Sequence, residues 1–86
     1  MRARVFIPAR VLEIARFRRV AADHVVIQYG VTHWNVVAVH GQTGRRAVLG
    51  QLGSIGPAID LAVRSGLPVL LGPGAAGWAP LLRARA

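Results

Sequence analysis

Between residues 24 and 50, three runs of strand-forming residues follow one another with short breaks. His24-Val25-Val26-Ile27-Gln28-Tyr29 is β-branched and aromatic and stops at Gly30. Trp34-Asn35-Val36-Val37-Ala38-Val39-His40 stops at Gly41-Gln42-Thr43-Gly44, and Arg45-Arg46-Ala47-Val48-Leu49-Gly50 is a shorter third run. Strand formers joined by short glycine-bearing connections predict an antiparallel meander. Four-residue loops set Tyr29 opposite Trp34 and His40 opposite Arg45. One face of the sheet then collects Val25, Ile27, Tyr29, Trp34, Val36, Ala38, Ala47 and Leu49. The other collects Val26, Val37, Val39 and Val48, interspersed with His24, Gln28, Asn35 and Arg46. A sheet wetted on one side alternates apolar with polar residues. This one is apolar on one face and half-apolar on the other, so both faces call for cover.

A helix supplies the first cover. Ile55, Ile59, Ala62 and Val63 recur at i, i+4, i+7 and i+8, which makes one apolar stripe. Ser54 or Gly56 can cap its start, Pro57 is tolerated in the first turn, Gly66 supplies a left-handed stop and Pro68 forbids continuation. The expected helix covers about 57–65. Val69-Leu70-Leu71 reads as a short buried strand, residues 72–77 as a glycine loop and 78–86 as a tail. The fold class expected is α+β: a small, mainly antiparallel sheet with a meander over 24–50, further strands and one packed helix. Residues 1–86 form a single small domain, with a basic segment at 1–23, the sheet and helix core at 24–71 and a loop and basic tail at 72–86.

The N-terminal third has two readings. Pro8 can open a helix to about Ala22, but Val11, Leu12, Ile14, Phe17 and Val20 spread around such a helix instead of forming a stripe. Strands at Arg4–Ile7 and Arg10–Phe17 suit the Ile7-Pro8 break better and are the reading adopted. A helical 8–22 would give the order helix, three strands, helix, which resembles the double-stranded-RNA-binding domain. Gly30-Val31-Thr32-His33 would then stand where that family carries its minor-groove loop. The basic cluster that family places at its second helix start is here Ser54-Ile55-Gly56-Pro57, and membership is not assigned. With strands at the N-terminus the second sheet face lacks a lid, and a second copy of the chain is the simplest one. The interface expected is Val26, Val37, Val39 and Val48.

Composition sharpens this picture. At 86 residues the chain buries only about 60–65% of its unfolded surface, yet 53% of it is hydrophobic, a surplus that favours association. No cysteine is present, which excludes disulfides and thiolate metal sites and fits a cytoplasmic setting. Arg10 cuts the N-terminal apolar run short of a signal sequence. The uncharged stretch 65–82 holds three prolines and four glycines and is not read as a membrane span.

Eleven arginines, no lysine and three acids give a net charge of +8. A field of that sign favours phosphate or acidic partners. A GC-rich bacterial genome explains the choice of arginine over lysine, though not the scarcity of acids. Nucleic acid is the expected partner, contacted by Arg16, Arg18, Arg19, Arg45 and Arg46.

No catalytic, cofactor or metal site is expected. His40 falls between Asp23 and Arg45, but an Asp–His pair needs a nucleophile on the imidazole, and no hydroxyl stands in a nucleophile elbow. His40 is therefore read as a polar rim residue. His24, His33 and His40 have no ligand spacing, and His24 and His40 fall on opposite faces. Gly50-x-x-Gly53-x-x-Gly56 matches neither dinucleotide nor Walker patterns and is read as a strand-to-helix connection. Gly41-Gln42-Thr43-Gly44 has the GxxG spelling of a KH clamp, but it joins two strands and is read as a hairpin turn. Tyr29 and Trp34 can stack on bases, although a cross-strand core pair is the simpler reading. Trp78 is expected to pack back on the domain. The leading functional expectation is a non-enzymatic basic nucleic-acid-binding protein. The alternative is a homo-oligomeric interaction or regulatory module, of the kind mobile elements encode, that binds no nucleic acid.

Overall fold

The computed structural model describes residues 9–15 and 18–86. It is an α+β fold with a two-stranded hairpin and a four-stranded sheet. Strands β1 (Arg10–Ala15) and β2 (Arg18–Ala22) form the hairpin. Strands β3 (His24–Tyr29), β4 (Trp34–His40) and β5 (Arg45–Leu52) form the meander, followed by helix α1 (Ile55–Arg64) and strand β6 (Val69–Leu71). The sheet order is β5-β4-β3-β6, with β6 parallel to β3. A 3₁₀ turn at Ala76–Trp78 leads into helix α2 (Ala79–Arg85). Residues 10–15 form a strand within the expected Arg10–Phe17, whereas the strand at Arg18–Ala22 was not expected; with neither segment helical, the helix–three-strand–helix order of the RNA-binding family does not occur. The strand expected at Arg4–Ile7 lies outside the described residues.

The meander adopts the expected register at both turns: Tyr29 faces Trp34, and His40 faces Arg45. Its first face is the main core, where Val25, Ile27, Val36 and Ala38 are fully buried beneath Ala58, Ile59 and Ala62 of α1. Small residues on that helix face let its axis approach the sheet. Gly50 serves the same end, since a Cβ there would meet Leu61 Cδ2 at 2.7 Å. Leu12 and Val20 of the hairpin pack against the same core, so the hairpin and α1 share one side.

Three details differ from expectation. β5 runs on to Leu52, and a bulge between Val36 and Val37 shifts its register. Val37 pairs with Val48 and Val36 with Gly50, which leaves Leu49 as the extra residue and puts Leu52 opposite Trp34. The sequence reading assumed uninterrupted alternation, and a bulge adds one residue without any composition cue except the glycine beside it. Second, α1 starts at Ile55, behind an extended Ser54, because Pro57 occupies a first-turn position whose N–H would lack a helical partner anyway. Its end is as expected, with Gly66 at φ 74° donating its N–H to Val63 O at 3.1 Å. Third, β6 is an edge strand and not a buried one: Leu70 is 53% exposed. The tail is also more ordered than expected. Leu81 and Leu82 of α2 pack on the core, and Arg85 Nη1 donates to Asp60 Oδ1 at 2.7 Å and to Gly56 O at 3.1 Å.

Cross-strand partners share a face, so the second face resolves into three rows. The middle row is apolar across all four strands: Leu70, Val26, Val37, Val48. His24, Val39 and Arg46 form the row at one end; Gln28, Asn35 and Gln51 form the row at the other.

Candidate functional site

The end of the sheet at the β4–β5 turn brings together Asp23, His24, His40 and Thr43. The Gly41 N–H donates to Asp23 Oδ2 at 2.8 Å, and His24 Nδ1 lies 2.5 Å from Asp23 Oδ1. A carboxylate only accepts, so this contact puts the hydrogen on His24 Nδ1. The His24 hydrogen bond, then the Gly41 N–H, hold the Asp23 carboxyl below its ordinary 3.8, against a smaller desolvation effect. Thr43 Oγ1 accepts the Arg45 N–H at 3.3 Å and lies 3.0 Å from His40 Nδ1, to which its own hydrogen can be given. His40 Nδ1 then accepts, and the ring hydrogen is on Nε2.

This arrangement separates the parts a catalytic triad requires. Asp23 holds His24, whereas the hydroxyl of Thr43 meets His40, on the opposite sheet face. Neither imidazole joins an acid to a hydroxyl among the described residues. No group of three or more potential metal ligands occurs among them either.

Four of the five arginines singled out fall in strands β2 and β5. Arg16 lies outside the described residues. Arg18 occupies a β2 position opposite Ala15, and Arg19, exposed, stands directly across from Glu13. Arg45 and Arg46 are exposed beside the β4–β5 turn, but consecutive strand residues point to opposite faces. Asp23, at the β2–β3 junction, bonds to His24 and the Gly41 N–H and to neither of these arginines. Elsewhere Arg10 donates to Gly66 O, Arg64 to Asp60 O and Arg85 to Asp60 and Gly56 O.

The second sheet face gives a clearer pattern. Of the expected interface residues, Val37 and Val39 are each 5% exposed within one chain, and Val26 is half-buried. Val48 is 51% exposed at one end of the apolar row, and Leu70 is 53% exposed at the other. None of Val26, Val37, Val39 and Val48 belongs to the main core cluster. Leu70 was read as buried from its neighbours in sequence. Its exposure follows from the parallel β3–β6 pairing, which no local pattern encodes.

At the far end of the sheet, Tyr29 and Trp34 meet edge-on with ring centroids 4.8 Å apart and planes at 65°. Trp78 meets Trp34 at 6.4 Å and 87°. Trp34 packs against the core while Tyr29 and Trp78 stay exposed. Tilted rings of this kind give successive bases no common stacking direction. A cavity of about 400 Å³ lies between the hairpin, the bulge and α1, lined by Leu12, Glu13, Leu49, Leu61, Arg64 and Ser65. Glu13 and Arg64 make no ion pair across it among the described residues. No described helix is long and apolar enough to cross a membrane. No family model, curated protein or solved structure matches the chain.

Proposed function

We propose that the protein is a non-enzymatic interaction module that acts as a homodimer through the second face of its sheet. The observation that carries this reading is the Leu70–Val26–Val37–Val48 row, apolar across four strands and half-exposed at both ends. Covering the exposed ends, Leu70 and Val48, removes apolar surface from water at about 25 cal/mol per Å². The cysteine-free composition supports a cytoplasmic setting. Val48→Asp tests the reading. It places a charge on the exposed part of the row, and it should yield a folded monomer where the unaltered chain is a dimer. A dimer that survives Val48→Asp unchanged removes this face from the assembly.

A second reading, nucleic-acid binding, rests on Arg45 and Arg46. They are exposed, they stand at the start of β5 on opposite faces of the sheet, and their side chains have no acceptor among the described residues. Phosphate contacts from them predict binding that weakens with salt, with a log–log slope of about −0.9 per phosphate neutralised on B-DNA. Fluorescence anisotropy with a labelled duplex and a labelled single strand at low salt decides it. Binding lost in Arg45→Ala/Arg46→Ala supports the reading, and its absence in the unaltered chain rejects it.

A further inference from the structure

The edges of the sheet are guarded, which leaves the face as the route for association. β6 pairs over three residues and is bracketed by Pro68 and Pro73. β5 carries a bulge and opens with two arginines. Proline, charge and bulges are the devices that stop edge strands from pairing with other chains.

The two end rows on that face differ in hydrogen-bonding character. Arg46 donates and His24, whose Nδ1 hydrogen goes to Asp23, has an accepting Nε2, while Gln28 and Gln51 offer amide oxygens as well as amide hydrogens and the Asn35 Oδ1 is buried. Two copies can stack these faces about a two-fold axis lying between them in only two simple ways. An axis parallel to the strands lays each end row on its own counterpart, and Val48 on the partner's Leu70. Arg46 then lies over the start of β6, where Pro68 offers no side-chain acceptor. An axis along the apolar row instead lays β5 on β5 and exchanges the ends. Arg46 then faces Gln51 of the partner subunit, and His24 faces the partner's Gln28.

We infer that two copies of this chain pack face to face about a two-fold axis running along the Leu70–Val26–Val37–Val48 row, with strands antiparallel across the interface. This rests on the homodimer reading and adds its geometry. The apolar row supplies the burial, and each Arg46 guanidinium finds a neutral amide acceptor on the partner. Packed sheets lie about 10 Å apart with strands within about 30° of alignment. The residues near the axis therefore approach their own counterparts.

The absence of native cysteine makes the test direct, because every thiol present is an introduced one. Full-length Val48→Cys, Leu70→Cys, the Val48→Cys/Leu70→Cys pair and the Arg46→Cys/Gln51→Cys pair are treated with a bismaleimide spanning about 10 Å, the sheet spacing. Circular dichroism checks that each is folded. Sedimentation of the unaltered chain is run beside them. The expected result is a cross-linked dimer from Val48→Cys alone and from the Arg46→Cys/Gln51→Cys pair, with Val48→Asp weakening dimerisation at least about 100-fold. Unaltered chain that sediments as a dimer while each single variant stays uncrosslinked, and the 48/70 pair cross-links, overturns the arrangement and leaves the homodimer standing. An unaltered chain that sediments as a monomer overturns both.

Discussion

Asp23 Oδ2 accepts the Gly41 N–H at 2.8 Å across 18 residues of sequence, which fastens the β4–β5 turn to the junction between β2 and β3. The same carboxylate takes His24 Nδ1 on its other oxygen. Asp23 N donates to Val39 O at 2.9 Å, so backbone and side chain hold one corner together.

That corner should make stability acid-sensitive in a defined direction. Asp23 has its carboxyl lowered below 3.8 in the folded chain by His24 and the Gly41 N–H. A depressed folded value stabilises the fold fully above the unfolded value, and the contribution disappears as pH falls through the folded one. The melting-temperature difference between the unaltered chain and Asp23→Asn should therefore shrink from about pH 5 to about pH 2. A difference that stays constant over that range shows the carboxylate to be idle.

Glycine is required at position 74. Its φ is 80°, and a Cβ there would lie 2.8 Å from Tyr29 Cβ. Gly74→Ala should destabilise by about 1–3 kcal/mol in chemical denaturation. Gly77 has nothing within 4 Å of its Cβ position, so Gly77→Ala should be neutral or slightly stabilising. Equal effects at the two sites contradict the geometry.

Ile59 is fully buried between α1 and the sheet. Ile59→Ala should cost about 2–5 kcal/mol, against about 0.5–1.5 kcal/mol for Ile59→Val. Since small domains are stable by only about 5–15 kcal/mol, the alanine variant should unfold at much lower denaturant. A small, equal shift for both variants means α1 is not packed as described.

The C-terminal helix is held more by apolar packing, from Leu81 and Leu82 on the core and Trp78 against Trp34, than by its ion pair. Arg85 and Asp60 are both well exposed, and such pairs contribute about 0.2–1 kcal/mol. Leu81→Ala/Leu82→Ala, and to a lesser degree Trp78→Ala, should lower amide-exchange protection in 79–85 while β4 stays protected, whereas Arg85→Ala should leave most of it. Loss of protection from Arg85→Ala alone reverses that ranking.

The legible parts of this fold were those set by local pattern. Alternation in 24–29 and 34–40 gave the faces, loop lengths gave the Tyr29–Trp34 and His40–Arg45 pairings, and the Ile55–Ile59–Ala62–Val63 stripe with Gly66 gave the helix. What escaped depends on tertiary context. The Leu49 bulge is one extra residue in a run where every residue suits a strand. The parallel docking of β6 leaves Leu70 exposed although Val69-Leu70-Leu71 is wholly apolar. The arginines show the same limit for function. Their number is plain in the sequence, but the placing of Arg19 opposite Glu13, and of Arg10, Arg64 and Arg85 against acceptors, depends on the fold.

Sedimentation equilibrium of the unaltered chain, at micromolar concentrations and at about 0.1 M and about 1 M salt, addresses the homodimer directly. An assembly joined through the apolar row should weigh twice the 9.2 kDa chain at both salt concentrations. A mass of 9.2 kDa throughout, or a dimer that dissolves in high salt, contradicts it.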